Sequence, residues 1–474
     1  MSREPIELDA APPLQREDLT ELFRRAERPD PATHMVGTEQ EKFGLWLGHA
    51  DGSPRPANYQ DHILPVLIGL QSYGWRPGAD RGTDGEMIAL ERDGATITLE
   101  PGGQLELSGK PLLTIHQTCA EFSEHFREID AVSRPLGLAW LATGFHPFAT
   151  REEIPRMPKP RYAVMQAYLP TRGAMALDMM LRTCTVQANF DYASEAQCGQ
   201  RFRLAMGLSA LATAIFGNSP YQEGAVSGFA TMRSRVWSDV DPDRCGILEF
   251  AFHEPFSYER YVDWALAVPM FFVRRRGRYH PFHRPFAEFM RDGFVDPDGV
   301  IQRATAADWA LHLSTVFPEA RLKPFIEVRG ADAVGSRYLC ALPAMWKGIL
   351  YDEDAGAAAW ELVAELDDGQ RLALWDECRR HSVRSPRVHQ LCVRLLASAR
   401  AGLNRLDQRD AQGRSEARFL DAIEALIQSG RCPADEAIEA IGAAAGRDGA
   451  GRLAFTRAFH FAGAGVSDDP LPDA

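Results

Sequence analysis

The chain has 474 residues, 45% of them hydrophobic and 25% charged, enough apolar material for a large core. Lys and Arg number 52 against 65 Asp and Glu, and the resulting charge of −13 argues against a nucleic-acid-binding surface. No apolar run reaches the roughly 18–20 residues of a membrane helix. The opening MSREPIELDAAPPLQRED resembles neither a secretory signal nor a transit peptide, so a cytoplasmic protein is expected.

Residues 15–30 read as a short charged helix with Leu19, Leu22 and Phe23 as its apolar stripe. Short alternating strands follow between turn signals from about 36 to 110. The next segment, 114–138, predicts a helix with Thr114 as its cap, ended by Pro135-Leu-Gly. Strands return at 138–148 and 183–191, and a long helix is predicted over 195–215. The stretch 225–335 reads as loop-rich with further strands. Beyond about 340 the chain becomes Ala-rich with helical spacing, as in Asp354–Leu366 and Arg418–Ile427. The organisation expected is an N-terminal helical segment (1–34), an α+β catalytic core (35–340) and a helical C-terminal region (341–474) packed on it. The eight cysteines include no CxxC pair, which disfavours structural zinc.

Chemistry concentrates on four predicted strands. In GTEQEKFGL (37–45) alternation puts Glu39 and Glu41 on one face with Phe43. At an effective dielectric of 20, two such charges about 4 Å apart repel by on the order of 4 kcal/mol. An exposed Glu-x-Glu relieves this through solvation, and this pair alone decides nothing. TITLEPGGQLEL (96–107) reads as a hairpin with a Pro101-Gly102-Gly103 loop. Pairing Glu100 with Gln104 sets Thr98 against Glu106 and gathers all four on one face, with Ile97, Leu99, Leu105 and Leu107 on the other. TCTVQANFD (183–191) adds Thr183, Thr185, Gln187 and Asn189, and KPFIEVRGAD (323–332) adds Phe325, Glu327 and Arg329. Together these predict an oxygen-rich front on a sheet with an apolar back. Such a front suits hard cations such as Mg²⁺, which also recruit phosphates. No Walker loop and no GxGxxG after a strand occurs, so metal and arginines must hold any nucleotide. His116, His125 and His146 do not read as a metal cluster, given their apolar and capping neighbours.

GTEQEKFGL, LEPGGQLELSG, IHQTCAE, MPKPRY, LDMMLRTCTVQ, MRSRVW, FIEVRGAD and LCALPAMW, in this order, resemble glutamate–cysteine ligase of the plant and proteobacterial type, from about residue 35 to 440. The resemblance implies a glutamine-synthetase-like antiparallel sheet cradling the active site. It implies ATP-dependent joining of the glutamate γ-carboxyl to cysteine through γ-glutamyl phosphate, the first step of glutathione synthesis. A γ-glutamyl ligase using another amine is the alternative. Two or three Mg²⁺ ions are implied, with Glu39, Glu41, Glu100, Glu106, Glu327 and, less directly, Gln187 as ligands. Arg329, with Glu327, is implied at the transferring phosphate. Arg233 is the candidate clamp for the glutamate carboxylate, with Arg182 and Arg161 as further substrate-binding candidates. Alternation places Arg182 opposite Gln187, which equally fits a structural role. The partners expected are glutamate, cysteine and ATP, with no nucleic acid or membrane, in a monomer or homodimer. The stretch around 281–296 lacks the cysteines that form one regulatory pair in plant members. Cys119 and Cys340 match the other plant pair, leaving both a bridge and free buried thiols open.

Overall fold

The computed structural model describes residues 12–461 except Glu254 and Ala444, so the outer parts of the predicted terminal segments lie outside the described residues. The organising element is an eleven-residue strand, β1 (Val36–Trp46), almost wholly buried. Its sheet contains β2 (Ala89–Arg92), β3 (Ala95–Leu99), β4 (Leu105–Ser108), β5 (Leu138–Leu141), β6 (Val186–Phe190), β7 (Ala320–Leu322) and β8 (Ile326–Val328). The order is β7-β8-β6-β1-β4-β3-β2, followed by the two-residue strand Arg76–Pro77. Every pairing in it is antiparallel. The first half of β1 lies between β4 and β6, and its second half pairs with β5 and Arg55–Pro56.

Helices cover the back. α1 (Asp18–Arg24) is shorter than its amphipathic stripe predicts, because Pro29 and Pro31 follow closely and cannot continue a helix. Leu19 and Phe23 are nonetheless buried, as the stripe requires. α2 (Ile115–Ser133) starts at a capping box: the Thr114 hydroxyl accepts from Gln117 N while the Gln117 side chain accepts from Thr114 N. The chain then continues through α3 (Pro160–Tyr168), α4 (Ala176–Arg182), α5 (Glu195–Ile215), α6 (Met232–Trp237), α7 (Ala341–Leu350) and α8 (Pro386–Leu406). α2 packs on β1, and the fully buried α7 packs on β6 and α8. One hydrophobic cluster runs from Leu14 to Phe461.

The stretch 225–335 is more helical than its turn residues predict. Ser257 and Thr305 cap helices at Tyr258–Ala267 and Ala306–Leu313, a role for hydroxyl residues easily taken for loop chemistry. No described helix is long and apolar enough to cross a membrane.

Cys119 in α2 and Cys340, just ahead of α7, are joined by a disulfide. Beside it, Glu416 accepts from Ile115 N at 2.6 Å and from the Lys347 ammonium at 2.9 Å, a second tie between the same helices. The bridge links residues 221 apart, so it strongly restricts the unfolded chain. Reduction, or Cys119→Ser, is expected to lower the melting temperature, corresponding to a loss of about 2–4 kcal/mol. Thermal melts with and without dithiothreitol check this, and identical melts would refute it.

Candidate functional site

The site grows out of register. Glu41 sits opposite Glu106, while Glu39 is flanked by Ser108 on β4 and Gln187 on β6. Glu327 of β8 faces Asn189, and Thr98 faces Glu106. In the hairpin, Glu100 N donates to Gln104 O at 2.9 Å, the pairing expected from sequence. The loop is tightly held: Gly102 N donates to the Gln104 side chain and Met157 N to Pro101 O. A Cβ at Gly102 would collide with Leu181 O, and Gly103 has φ of 84°, so both positions require glycine. The Gln104 amide in turn donates to Thr183 O at 3.0 Å, fastening the hairpin to the segment leading into β6.

These faces floor one cavity. Its lining includes Glu39, Glu41, Glu100 and Glu106, with Gln187, Arg161, Arg233 and Arg329. Glu39 and Glu106 are buried and Glu41 is half-buried, all among like charges, and the electrostatics follow. Burial first, then Glu39 and Glu100, push the Glu106 carboxyl up to about 7. Burial, Glu100 and Glu106 hold Glu41 well above the usual carboxylate range, although it accepts a bond from Thr185 N at 2.9 Å. Such a cluster resists full ionisation until a cation arrives.

All these donors are oxygens, the chemistry of a hard divalent cation and not of zinc or copper. Glu39, Glu41, Glu100 and Glu106 are therefore the residues able to hold Mg²⁺. Among the described residues no three His, Cys, Asp or Glu side chains already meet as a cation cage. The fit thus rests on donor type and shared cavity. His116, His125 and His146 stay apart as well; His146 is buried and packs between Phe43 and Phe148.

Three sequence-predicted residues are bonded to other side chains of the protein. Glu327 is fully buried, and both carboxylate oxygens are engaged: Arg321 donates at 2.7 and 3.0 Å, Lys323 pairs at 3.0 Å and Arg329 donates at 2.7 Å. Burial alone would raise its pKa, yet these three cations outweigh it and hold Glu327 well below the usual range. Here Glu327 anchors Arg329, and each described contact of its carboxylate is to a cation. The Gln187 carbonyl oxygen is likewise taken, accepting from Arg329 at 2.7 Å. Arg182 does not line the cavity. Its guanidinium donates to Asp178 at 2.7 Å, to Ala149 O at 2.9 Å and to Glu223 at 3.0 Å, bonds that favour the structural of its two readings.

The arginines that do line the cavity are Arg161, Arg233, Arg321 and Arg329. Arg233, on α6, is buried, and its Nη2 donates to Arg329 O at 3.0 Å while Nε has no partner. A buried guanidinium with an unused donor beside a cavity is set to receive an anion. Arg329 lies near the rings of Trp237 and Phe317, centroids 5.7 and 5.8 Å away. Sequence reading missed Arg321 and Lys323. The signal was present: in RLKPFIE the two cations stand two residues apart at the end of a strand, and Arg321 pairs with Glu327 across a tight turn. It also missed Lys42, fully buried on the supposedly apolar back, where burial brings it down to about 7.

A profile of Glutamate-cysteine ligase family 2 matches residues 35–454. The chloroplastic glutamate–cysteine ligase of Arabidopsis thaliana is 40% identical over 437 residues, covering 91% of this chain and 80% of that protein. The chloroplastic enzyme of Brassica juncea is also 40% identical over 437 residues, covering 91% and 82%. These names overturn the expected cytoplasmic location, since the similar plant proteins are chloroplastic. Among solved structures, glutamate–cysteine ligase from Francisella tularensis in complex with AMP superposes with a TM-score of 0.50 at 12% identity. That superposition covers 90% of this chain and 87% of that one, and establishes likeness of fold.

A carboxyl raised to about 7 must lose its proton before it ligates, so affinity for Mg²⁺ is expected to fall as pH drops through about 7. Titration calorimetry across that range should show proton release on binding, and a pH-independent affinity would contradict the raised Glu106. Without cation, the same group's contribution to stability is present at acid pH and is lost as pH rises through about 7.

Proposed function

The chain belongs to glutamate–cysteine ligase family 2, and from that premise we propose how its own residues divide the work of the reaction. The enzyme joins the γ-carboxyl of L-glutamate to the amine of L-cysteine through γ-glutamyl phosphate, using ATP, as the first step of glutathione synthesis. A carboxylate is too poor an electrophile for an amine in neutral water, so its oxygen first attacks the γ-phosphorus of ATP and ADP departs. The amine then displaces phosphate from the acyl phosphate.

Glu39, Glu41, Glu100 and Glu106 hold Mg²⁺ in this reading, supported by their shared cavity and the raised Glu41 and Glu106. Bound Mg²⁺ supplies charge neutralisation on the phosphate oxygens. Arg233 grips a carboxylate of glutamate through its unpartnered Nε, and Arg161 lies at the same cavity for an anionic group of either substrate. Arg329 faces the group being transferred. Its ties to Glu327 and Gln187 fix its orientation before substrate arrives, so little reorganisation remains for the reactive step. The observation that supports the assignment is the convergence of Glu39, Glu41, Glu100 and Glu106 with Arg161, Arg233 and Arg329 on one cavity floored by the sheet.

ADP release with glutamate, ATP and Mg²⁺, measured with cysteine and with a panel of other amines, tests the whole reading. Cysteine is expected to give the fastest turnover. Arg329→Lys keeps the charge but loses the guanidinium fork, and kcat is expected to fall by about 10²–10³. Near-normal turnover in that variant would remove Arg329 from the transferring phosphate. Glu327→Ala is expected to impair folding as well as activity, because it strands three buried cations. A normal melt for that variant would refute the anchoring role.

A further inference from the structure

Asp332, the last residue of FIEVRGAD, does not line the cavity, yet it is 1% exposed and densely bonded. One carboxylate oxygen accepts from Asn218 N at 2.8 Å and from the Ser219 hydroxyl at 2.6 Å; the other accepts from the Thr231 hydroxyl at 2.8 Å. Three donors converge on it; no cation is hydrogen-bonded to it among the bonds described, although the charge of Arg233 also acts on it. Its seat leaves no spare room: a Cβ at Gly144 would collide with the carboxylate.

Two of those donors lead to α6. Thr231 is the N-cap residue of that helix, and its hydroxyl oxygen accepts from Ser234 N at 3.1 Å. The Ser219 hydroxyl oxygen accepts from Arg233 N at 3.2 Å. The backbone ties run the same way, with Ser219 N donating to Ala230 O and Met232 N to Ser219 O. A hydroxyl that donates to Asp332 has its lone pairs free to accept from the helix, so the carboxylate dictates which way each hydroxyl points. The first turn of α6 therefore hangs from Asp332 through two hydroxyl relays. At the other end of that turn the Arg233 guanidinium is steered to Arg329 O. With six residues, α6 is too short to hold its own first turn without such support.

We propose that Asp332 is a positioning residue for Arg233: through Ser219 and Thr231 it sets the first turn of α6, and with it the point where the guanidinium meets the glutamate carboxylate. This rests on the reading of Arg233 as that clamp. Asp332 touches no substrate, so its loss is felt as weaker glutamate capture and not as slower phosphoryl transfer.

A double-mutant cycle on the full-length enzyme tests this, with KM for glutamate, ATP and cysteine and kcat measured for each variant. Arg233→Ala is expected to raise the glutamate KM by about 10–100-fold, the loss of a charge-assisted contact. Asp332→Asn should raise the glutamate KM about tenfold, with kcat and the ATP KM nearly unchanged. In the Arg233→Ala background it should add almost nothing, because the group it positions is gone. Ser219→Ala severs one relay while leaving the carboxylate in place, and should give the same pattern at smaller size even if Asp332→Asn fails to fold. If Arg233→Ala leaves the glutamate KM alone, the clamp falls and Asp332's role with it. If Arg233→Ala behaves as expected but Asp332→Asn and Ser219→Ala act additively with it, or depress kcat and all three KM values together, only the positioning role is overturned.

Discussion

Like charges enclosed on one face of a sheet are the constraint from which the rest of this molecule follows. Glu39, Glu41 and Glu106 are held within neighbouring registers by β1 and β4, where backbone pairing forbids them to separate. Exposed, they would be solvated and unremarkable; buried, they must take up protons or be met by positive charge. The chain uses both routes. Glu41 and Glu106 are shifted upward, and Glu327 on the far side of β6 is surrounded by Arg321, Lys323 and Arg329. The front is thereby divided into a cation-seeking half and a cation-filled half. In the proposed division of work, this asymmetry sets negative protein charge at the Mg²⁺ side and positive protein charge at the phosphate side.

The division also explains why Glu327 and Arg329 are best regarded as one unit. A guanidinium alone in a buried site would be costly, and a carboxylate alone equally so. Paired on adjacent positions of one face, and tied to Gln187 on the next strand, they make a rigid donor aimed into the cavity. Arg233 reaches the same cavity from a separate, short helix, so its aim depends on a different set of supports.

Much of this was legible from alternation alone. The Glu100–Gln104 pairing and the shared face of Thr98 and Glu106 follow from a period of two and a tight loop. What alternation could not supply is partner identity. Whether Gln187 faces a metal or an arginine depends on β8 pairing with β6, a contact between segments well over a hundred residues apart in sequence. Arg182 illustrates the same gap: its residue type suits substrate, and only the arrival of Asp178, Glu223 and Ala149 O shows that its donors are already used. The apolar back was likewise overdrawn, since Lys42 keeps its amino group inside, where among the described residues it donates to Leu105 O at 3.4 Å. Helices within 225–335 were hidden because their caps are built from the same serines and threonines that make loops.

The Pro101–Gly103 loop has an implication for traffic. Its backbone is pinned by Met157, by the Gln104 side chain and by its own turn, and Gly102 is wedged against Leu181. A wall fastened at so many points behaves as masonry, so the hairpin end of the chamber cannot serve as a door. Trp237 and Phe317, whose rings lie beside Arg329, line the same chamber.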